Sequence, residues 1–331
     1  MASPLTLTRV WRILKEVDLE AIRREAGRRV RILVIGEDTA DADSLAIRLA
    51  EGGGDPTRWL TAIDAPLATP SLGGAGAGPS EPVVDGPDVV ITVLQSTGQS
   101  DAMKAARRLW GARKVRLLTV VLGGAQGAGS VAIEGDGARV AVSRLDDEGM
   151  ACVIDGLFAC VEPDRRVALA RQAPLTRPKV INALIDETAR TNAGYSFSTG
   201  LAEVVPILDI PLNIGDMLVL TKNQLMMSYR IALAAGKNGR PREMLAEIVG
   251  VLGGGLVFRQ LARQLVGLVP VIGLVPKVAV AYGGTWAIGR AVAAWATGGG
   301  RMTRDRLRRL SEEGLARGRK VAQALRRGTE L

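Results

Sequence analysis

The chain contains no histidine among its 331 residues. A Ser-His-Asp or Cys-His nucleophile system and a His-ligated metal are therefore outside its chemistry. Its only cysteines, Cys152 and Cys160, are too few for a zinc site. They stand at a helical spacing and read as apolar core residues of a reducing compartment, not as a disulfide. Aromatic residues are scarce, with five Trp, three Tyr and three Phe, so a nucleic-acid surface built on base stacking lacks its platforms. Met1–Lys15 carries Arg9 and Arg12 and no apolar segment of signal-peptide length, which argues against export. Glycine and proline, 40 and 15 in number, fall short of a low-complexity composition, and the length suits about two folded domains.

What charge there is lies unevenly. Residues 1–150 hold 18 basic against 20 acidic side chains, residues 151–300 hold 15 against 10, and residues 301–331 hold 10 against 4. The net charge of +9 therefore belongs to the C-terminal half. Such a surface suits nucleic acid or an anionic membrane, and the lack of stacking residues favours the membrane.

Residues 5–29 place Val10, Ile13, Leu14, Val17, Leu19, Ile22 and Ala26 on one helical stripe with charge opposite. This N-terminal amphipathic helix either packs on its own domain or serves a partner or membrane. From Val30 the pattern changes to short β-branched runs. Strands are predicted over 30–35, 89–94, 115–122 and 139–142, and helices over 43–50, 100–110 and 148–161. Strands alternating with helices give a parallel α/β sheet. Residues 64–88, rich in Gly, Pro, Ala and Ser, read as an insertion or long loop.

A phosphate-binding loop requires Gly-x4-Gly-Lys-Ser/Thr after the first strand, with amides cradling phosphate, Lys offsetting its charge and the hydroxyl holding Mg²⁺. Here the stretch reads Gly36-Glu37-Asp38-Thr39-Ala40-Asp41-Ala42-Asp43-Ser44. Only Gly36 fits, and Ser44 comes one place late. The carboxylates of Glu37, Asp38, Asp41 and Asp43 stand where a triphosphate would bring its own charge, and the aspartates also suit the cap and first turn of a helix. After the strand ending at Leu122 stands Gly123-Gly124-Ala125-Gln126, and a later loop reads Ala141-Val142-Ser143-Arg144. Over residues 30–162 this succession resembles a small GTP-binding domain of the bacterial Era-like type. That family reads the base with Asn-Lys-x-Asp, which is missing here, while Ser143 occupies the family's serine position. The resemblance implies a degenerate P-loop GTPase-like domain that binds no nucleotide; the alternative is nucleotide binding by an altered loop, with Gly36, Ser44 and Ser143 as its contacts. No other cofactor and no metal are expected.

Further on, Val180–Asn192 is an amphipathic helix, and Pro206 and Pro211 punctuate an apolar run from Leu201 to Leu220. The string Leu220-Thr221-Lys222-Asn223-Gln224-Leu225-Met226, continuing Ser228-Tyr229-Arg230-Ile231-Ala232 to Gly236-Lys237, lies between Asn192-Ala193 and Ala281-Tyr282-Gly283-Gly284-Thr285-Trp286-Ala287-Ile288-Gly289-Arg290. Together these strings, over about 165–298, resemble the YcjF-like family, family 697 among the domains of unknown function. The resemblance implies a helical domain at the bacterial inner membrane, joined to or encoded beside a GTPase domain, and brings no established activity. Asp216, Lys222, Asn223 and Gln224 form a candidate polar cluster, either contacts that fix helix packing or an ion or ligand site.

Leu265–Gly289 carries Lys277 as its only formal charge, but Pro270 and Pro276 interrupt it, and residues 248–258 add a second short apolar run. A spanning helix needs about 20 apolar residues. Such broken segments read as a re-entrant hairpin or as buried core helices. Residues 301–331 then form a basic helix with Leu307, Leu310, Leu315, Val321 and Leu325 on one stripe. Directly after an apolar hairpin it suits an anionic cytoplasmic leaflet, with Arg301, Arg304, Arg308 and Arg309 as the membrane-surface contacts; a solvated tail is the alternative.

The chain is thus expected to comprise an N-terminal helix (1–29), the α/β domain (30–162), an all-α, apolar helical domain (163–300) and the basic helix (301–331). The function expected is that of a non-catalytic adaptor or scaffold on the cytoplasmic face of the bacterial inner membrane, inserted or peripheral. Its partners would be anionic lipid and a protein, a GTPase among the candidates, and not nucleic acid. A divergent NTPase that couples nucleotide state to membrane association and a soluble homo-oligomeric bundle are the alternatives.

Overall fold

The computed structural model describes residues 18–37, 39–64, 86–95, 100–123, 131–135, 137–202, 212–251, 274–298 and 302–329. Contacts divide the chain into two compact units. One is Gly27–Val180; the other is Ile181–Leu331 together with the segment ending at Ala26.

In the first unit the strands are β1 (Ile32–Gly36), β2 (Leu60–Asp64), β3 (Val89–Gln95), β4 (Arg116–Leu122), β5 (Val131–Glu134) and β6 (Gly137–Val142). They form one sheet in the order β2-β1-β3-β4-β6-β5. All pairs are parallel except β5 with β6. The β1 run Ile-Leu-Val-Ile-Gly is buried throughout, and β3 is buried from Val89 to Leu94. Near-continuous burial is the mark of parallel strands covered on both faces. Strands β2 and β5 escape the periodicity reading because they are short sheet edges; Ile133 of β5 is 67% exposed.

The unit's helices are α2 (Thr39–Ala50), α3 (Asp101–Ala112), α4 (Asp147–Cys160) and α5 (Arg166–Gln172). Helices α2 and α4 supply Leu45, Leu49, Met150, Val153 and Leu157 to the larger core, over Val34, Ile91, Val120 and Val140. On the opposite face α3 contributes Met103 and Ala106 over Leu33, Ile35, Val90 and Leu94. Ser100 caps α3 by accepting the Met103 N–H at 3.1 Å, and Asp146 caps α4 by accepting the Gly149 N–H at 3.0 Å.

The α/β unit continues past residue 162, where the sequence reading places its end. Ala168, Leu169 and Ala173 complete the larger core. Gln172 also clamps the chain before β1, donating to the Val30 carbonyl at 2.9 Å and accepting the Val30 N–H at 2.8 Å. Of the insertion predicted at 64–88, residues 65–85 lie outside the described residues.

Both cysteines are free and lie on α4. Cys160 is buried, and desolvation pushes its thiol from 9.0 up to about 11, against the smaller opposing effects of a backbone hydrogen bond and Arg116. Because the folded value is raised, its stabilising contribution is whole below pH 9 and is lost as pH climbs through about 11. Urea melts from pH 8 to 11 should show the wild type losing at most about 2 kcal/mol more than Cys160→Ala. Equal losses would contradict a buried neutral thiol.

The second unit is helical: α1 (Leu19–Ala26), the greater part of α6 (Arg177–Ala202), α7 (Leu212–Ala234), α8 (Pro241–Val251), α9 (Leu274–Gly298) and α10 (Arg304–Thr329). Helix α1 buries Leu19, Ile22 and Ala26; residues 1–17 of the predicted N-terminal helix lie outside the described residues. Helix α9 is buried on nearly every side, through Val278, Tyr282, Trp286, Ile288, Val292 and Trp295 among others. For residues 274–298 the apolar stretch is therefore a core helix. Residues 252–273, the rest of the predicted hairpin, lie outside the described residues. Among the described residues no helix is long and apolar enough to cross a membrane.

Helices α9 and α10 meet at their backbones. A Cβ built on Gly283 would stand 2.7 Å from the Gly314 carbonyl carbon, and one on Gly318 would stand closer still to the Ala279 carbonyl oxygen. The pairing of 279 with 318 and 283 with 314 makes the two helices antiparallel. Glycine at these positions is what allows the contact.

Candidate functional site

In an open sheet of order 2-1-3-4-5 the ligand crevice lies beyond the carboxyl ends of β1 and β3, where the crossovers leave on opposite faces. Here those ends carry Gly36 and Gln95. Glu37, directly after β1, accepts the N–H of Ser100 at 3.0 Å. Both carboxylate oxygens of Asp41, in the first turn of α2, lie 2.9 Å from Gln95 Nε2. The donors that an anion would use, a helix-start amide and a side-chain amide, are thus engaged by the protein's own carboxylates. Ser44 turns away, its hydroxyl donating to the Ala40 carbonyl at 2.7 Å. Ser143 is exposed just past β6, three strand spacings or about 14 Å from β1. Gly36, Ser44 and Ser143 are not gathered into one pocket, and Asp38 lies outside the described residues. A phosphate would have to displace Glu37 from the Ser100 amide and sit beside Asp41. Millimolar Mg²⁺-GTP is expected to leave the melting temperature within about 1 °C; a larger saturable rise would restore the nucleotide reading.

A second constellation joins three helices. Asn223 on α7 donates to Asn192 Oδ1 on α6 at 2.8 Å. Asn192 in turn donates to Thr285 Oγ1 on α9 at 2.8 Å. Gln224 Nε2 reaches the same hydroxyl at 3.1 Å, and Thr285 gives its proton to the Ala281 carbonyl at 2.8 Å. Asn192 and Thr285 are fully buried, so each bond is made in a medium that penalises its loss.

Of the predicted cluster, the structure brings together Asn223 and Gln224. Lys222 makes no hydrogen bond or ion pair among the described residues, and the side chain of Asp216 lies outside them. The residues that composition alone missed, Asn192 and Thr285, are uncharged and stand far apart in the chain. Their signal is a polar side chain within an otherwise apolar helix face. The arrangement has no charged member, and among the described residues no group of His, Cys, Asp or Glu could hold a metal ion.

The third feature is the outer surface of α10. Its apolar stripe is spent on α9: Gly314, Gly318 and Ala322 are buried, and Leu307, Leu310, Leu315, Val321 and Leu325 are half-buried. This corrects the picture of a free amphipathic helix, since packing on α9 uses the face that lipid would need. The cations remain outside. Arg308 pairs with Glu312 at 2.9 Å and Arg317 with Glu313 at 2.9 Å. Arg306, Arg309, Arg319, Lys320 and Arg327 are exposed and have no side-chain partner among the described residues. Of the predicted contacts, Arg309 has no side-chain partner among the described residues and Arg308 is paired. Arg301 and the side chain of Arg304 lie outside the described residues.

Where α10 borders α9, Arg317 lies 4.7 Å and Arg290 5.8 Å from the Trp286 ring centre, and Arg290 donates to Asn182 at 2.9 Å. Burial, with a smaller push from the Asp186 carboxylate, raises the Tyr282 hydroxyl above its ordinary value, while Arg190 and Arg317 pull it down.

No family model, curated protein or solved structure matches this chain. Among the described residues the crevice's amides are held by the protein's own carboxylates, the polar network is bonded within itself, and α10 presents exposed cations without side-chain partners.

Proposed function

We propose that this protein is a non-catalytic adaptor that docks peripherally on an anionic membrane surface, at the cytoplasmic face of the bacterial inner membrane. The outer face of α10 is its contact, and the α/β unit offers a surface to a protein partner without binding nucleotide. The observation that carries the reading is the set of exposed cations on α10, Arg306, Arg309, Arg319, Lys320 and Arg327, held on a helix whose apolar side is already packed. A rigid basic ridge of this kind gains about 1 kcal/mol per cation near an anionic leaflet and falls off within a Debye length. The carboxylates at the carboxyl end of the sheet support the absence of a nucleotide cycle, since they repel phosphate at the place where the fold would take it.

Flotation with phosphatidylglycerol vesicles tests the contact. Reversing Arg306, Arg309, Arg319 and Lys320 to Glu is expected to weaken binding at 50 mM salt by about a hundredfold or more, with little difference left at 500 mM. Equal binding of wild type and variant at low salt would remove α10 from the account.

A further inference from the structure

A cavity of about 220 Å³ lies on the α3 side of the sheet, lined by Arg107, Gly111, Lys114, Val115, Leu117, Thr119, Gly137 and Ala138. It sits by the amino ends of β4 and β6, away from the carboxyl-end crevice. Its size is below the ~300–1,000 Å³ of drug-sized pockets, which suits one small group and not a nucleotide.

Its polar lining is one-sided. Among the described residues no acidic side chain takes part. Arg107 Nε is buried with no hydrogen-bond acceptor among the described residues. Lys114 is exposed at the rim without an ion pair among them. Thr119 is 2% exposed; its hydroxyl takes a hydrogen bond from Thr92 at 3.4 Å and keeps its own proton to give. A buried donor left without an acceptor is rare and calls for an explanation, and Arg107, Lys114 and Thr119 ask for the same thing, an oxygen-rich anion.

The backbone adds an independent sign. Lys114 is the only non-glycine described residue with positive φ, at 56°. It follows α3, where a left-handed residue closes a helix and glycine is the ordinary choice. A long cationic side chain at a position that favours glycine points to use of the side chain.

We propose that this cavity binds a phosphate group, held by the Arg107 guanidinium, the Lys114 ammonium and the Thr119 hydroxyl. The phosphate is either the free ion or the terminal group of a small phosphate monoester, whose carbon portion would lie toward Val115 and Leu117. The site belongs to the α/β unit and is independent of the membrane reading.

The test uses the full-length protein, calorimetric titration and thermal melts. Sodium phosphate is compared with sodium chloride at matched ionic strength, and glycerol 3-phosphate with inorganic phosphate. Phosphate is expected to bind saturably and to raise the melting temperature where chloride does not. Tighter binding of glycerol 3-phosphate would assign the site to an organic ester, and equal affinity would assign it to the free ion.

Lys114→Gly suits the backbone at φ 56°, so it should fold at least as well as wild type while binding phosphate about tenfold or more weakly. Arg107→Gln should weaken binding similarly, and Arg107→Lys should restore part of it. No saturable binding by the wild type, or wild-type affinity in Lys114→Gly, would overturn the proposal.

Discussion

Replacing Gly283 with leucine is expected to disrupt the helical unit, at a cost of about 3 kcal/mol or more. The reason is geometric. The first side-chain atom at 283 already falls 2.7 Å from the Gly314 carbonyl carbon, and what must yield is the backbone of α10, not a flexible side-chain end. Moving α10 outward also uncovers the face of α9 that it shields. Trp286 and Trp295 lie on α9 at 5% and 6% exposure, so urea melts followed by tryptophan fluorescence and by circular dichroism read the event directly. Gly194→Ala is the control: it lies within α6 with nothing within 4 Å of a built Cβ, and should stabilise by up to about 1 kcal/mol through helix propensity. Similar melts for Gly283→Leu and wild type would show that the two helices do not touch as described.

The second large effect belongs to Thr285. Valine keeps the shape and removes the oxygen on which Asn192 and Gln224 converge, at 2.8 and 3.1 Å. Asn192 is fully buried, so its amide would be left without an acceptor, whereas the half-buried Gln224 reaches solvent. One stranded buried donor together with the lost bonds amounts to about 2–3 kcal/mol. Thr285→Ser, which keeps the hydroxyl and removes one methyl, should cost about 1 kcal/mol. The contrast separates loss of the network from loss of packing. Equal effects of valine and serine would mean that the hydroxyl contributes no stability.

Much of the sheet was legible because buried parallel strands announce themselves. The runs at 30–35, 89–94, 115–122 and 139–142 are β-branched and bounded by turns, and they coincide with β1, β3, β4 and β6 within a few residues. The edges β2 and β5 were not legible, since a strand with one neighbour and half-exposed residues leaves little periodicity. The extension of the α/β unit to Val180 was hidden for another reason: Ala168, Leu169 and Ala173 could equally have begun a separate bundle, and only tertiary contact assigns them to the sheet's core.

The polar network was half legible. Asn223 and Gln224 stood out beside Lys222 because they were contiguous, but nothing local says that Asn192 and Thr285 complete the cluster. The amphipathic stripe of α10 was visible, while its occupant was not, because the close approach of Gly314 and Gly318 to α9 is a tertiary contact with no local signal. The cavity beneath α3 had no sequence signature. Arg107 and Lys114 acquire meaning only through a buried Nε and a left-handed backbone.

The proposed membrane docking rests on surface charge along α10, with neither insertion nor nucleotide required. Fractionating the full-length protein over membranes, first at 50 mM salt, then at 1 M salt and finally with detergent, tests it most directly. Sedimentation with membranes at low salt and complete release at 1 M salt before detergent is added are expected. Protein that remains in the supernatant at 50 mM salt, or that leaves the membrane only with detergent, would contradict it.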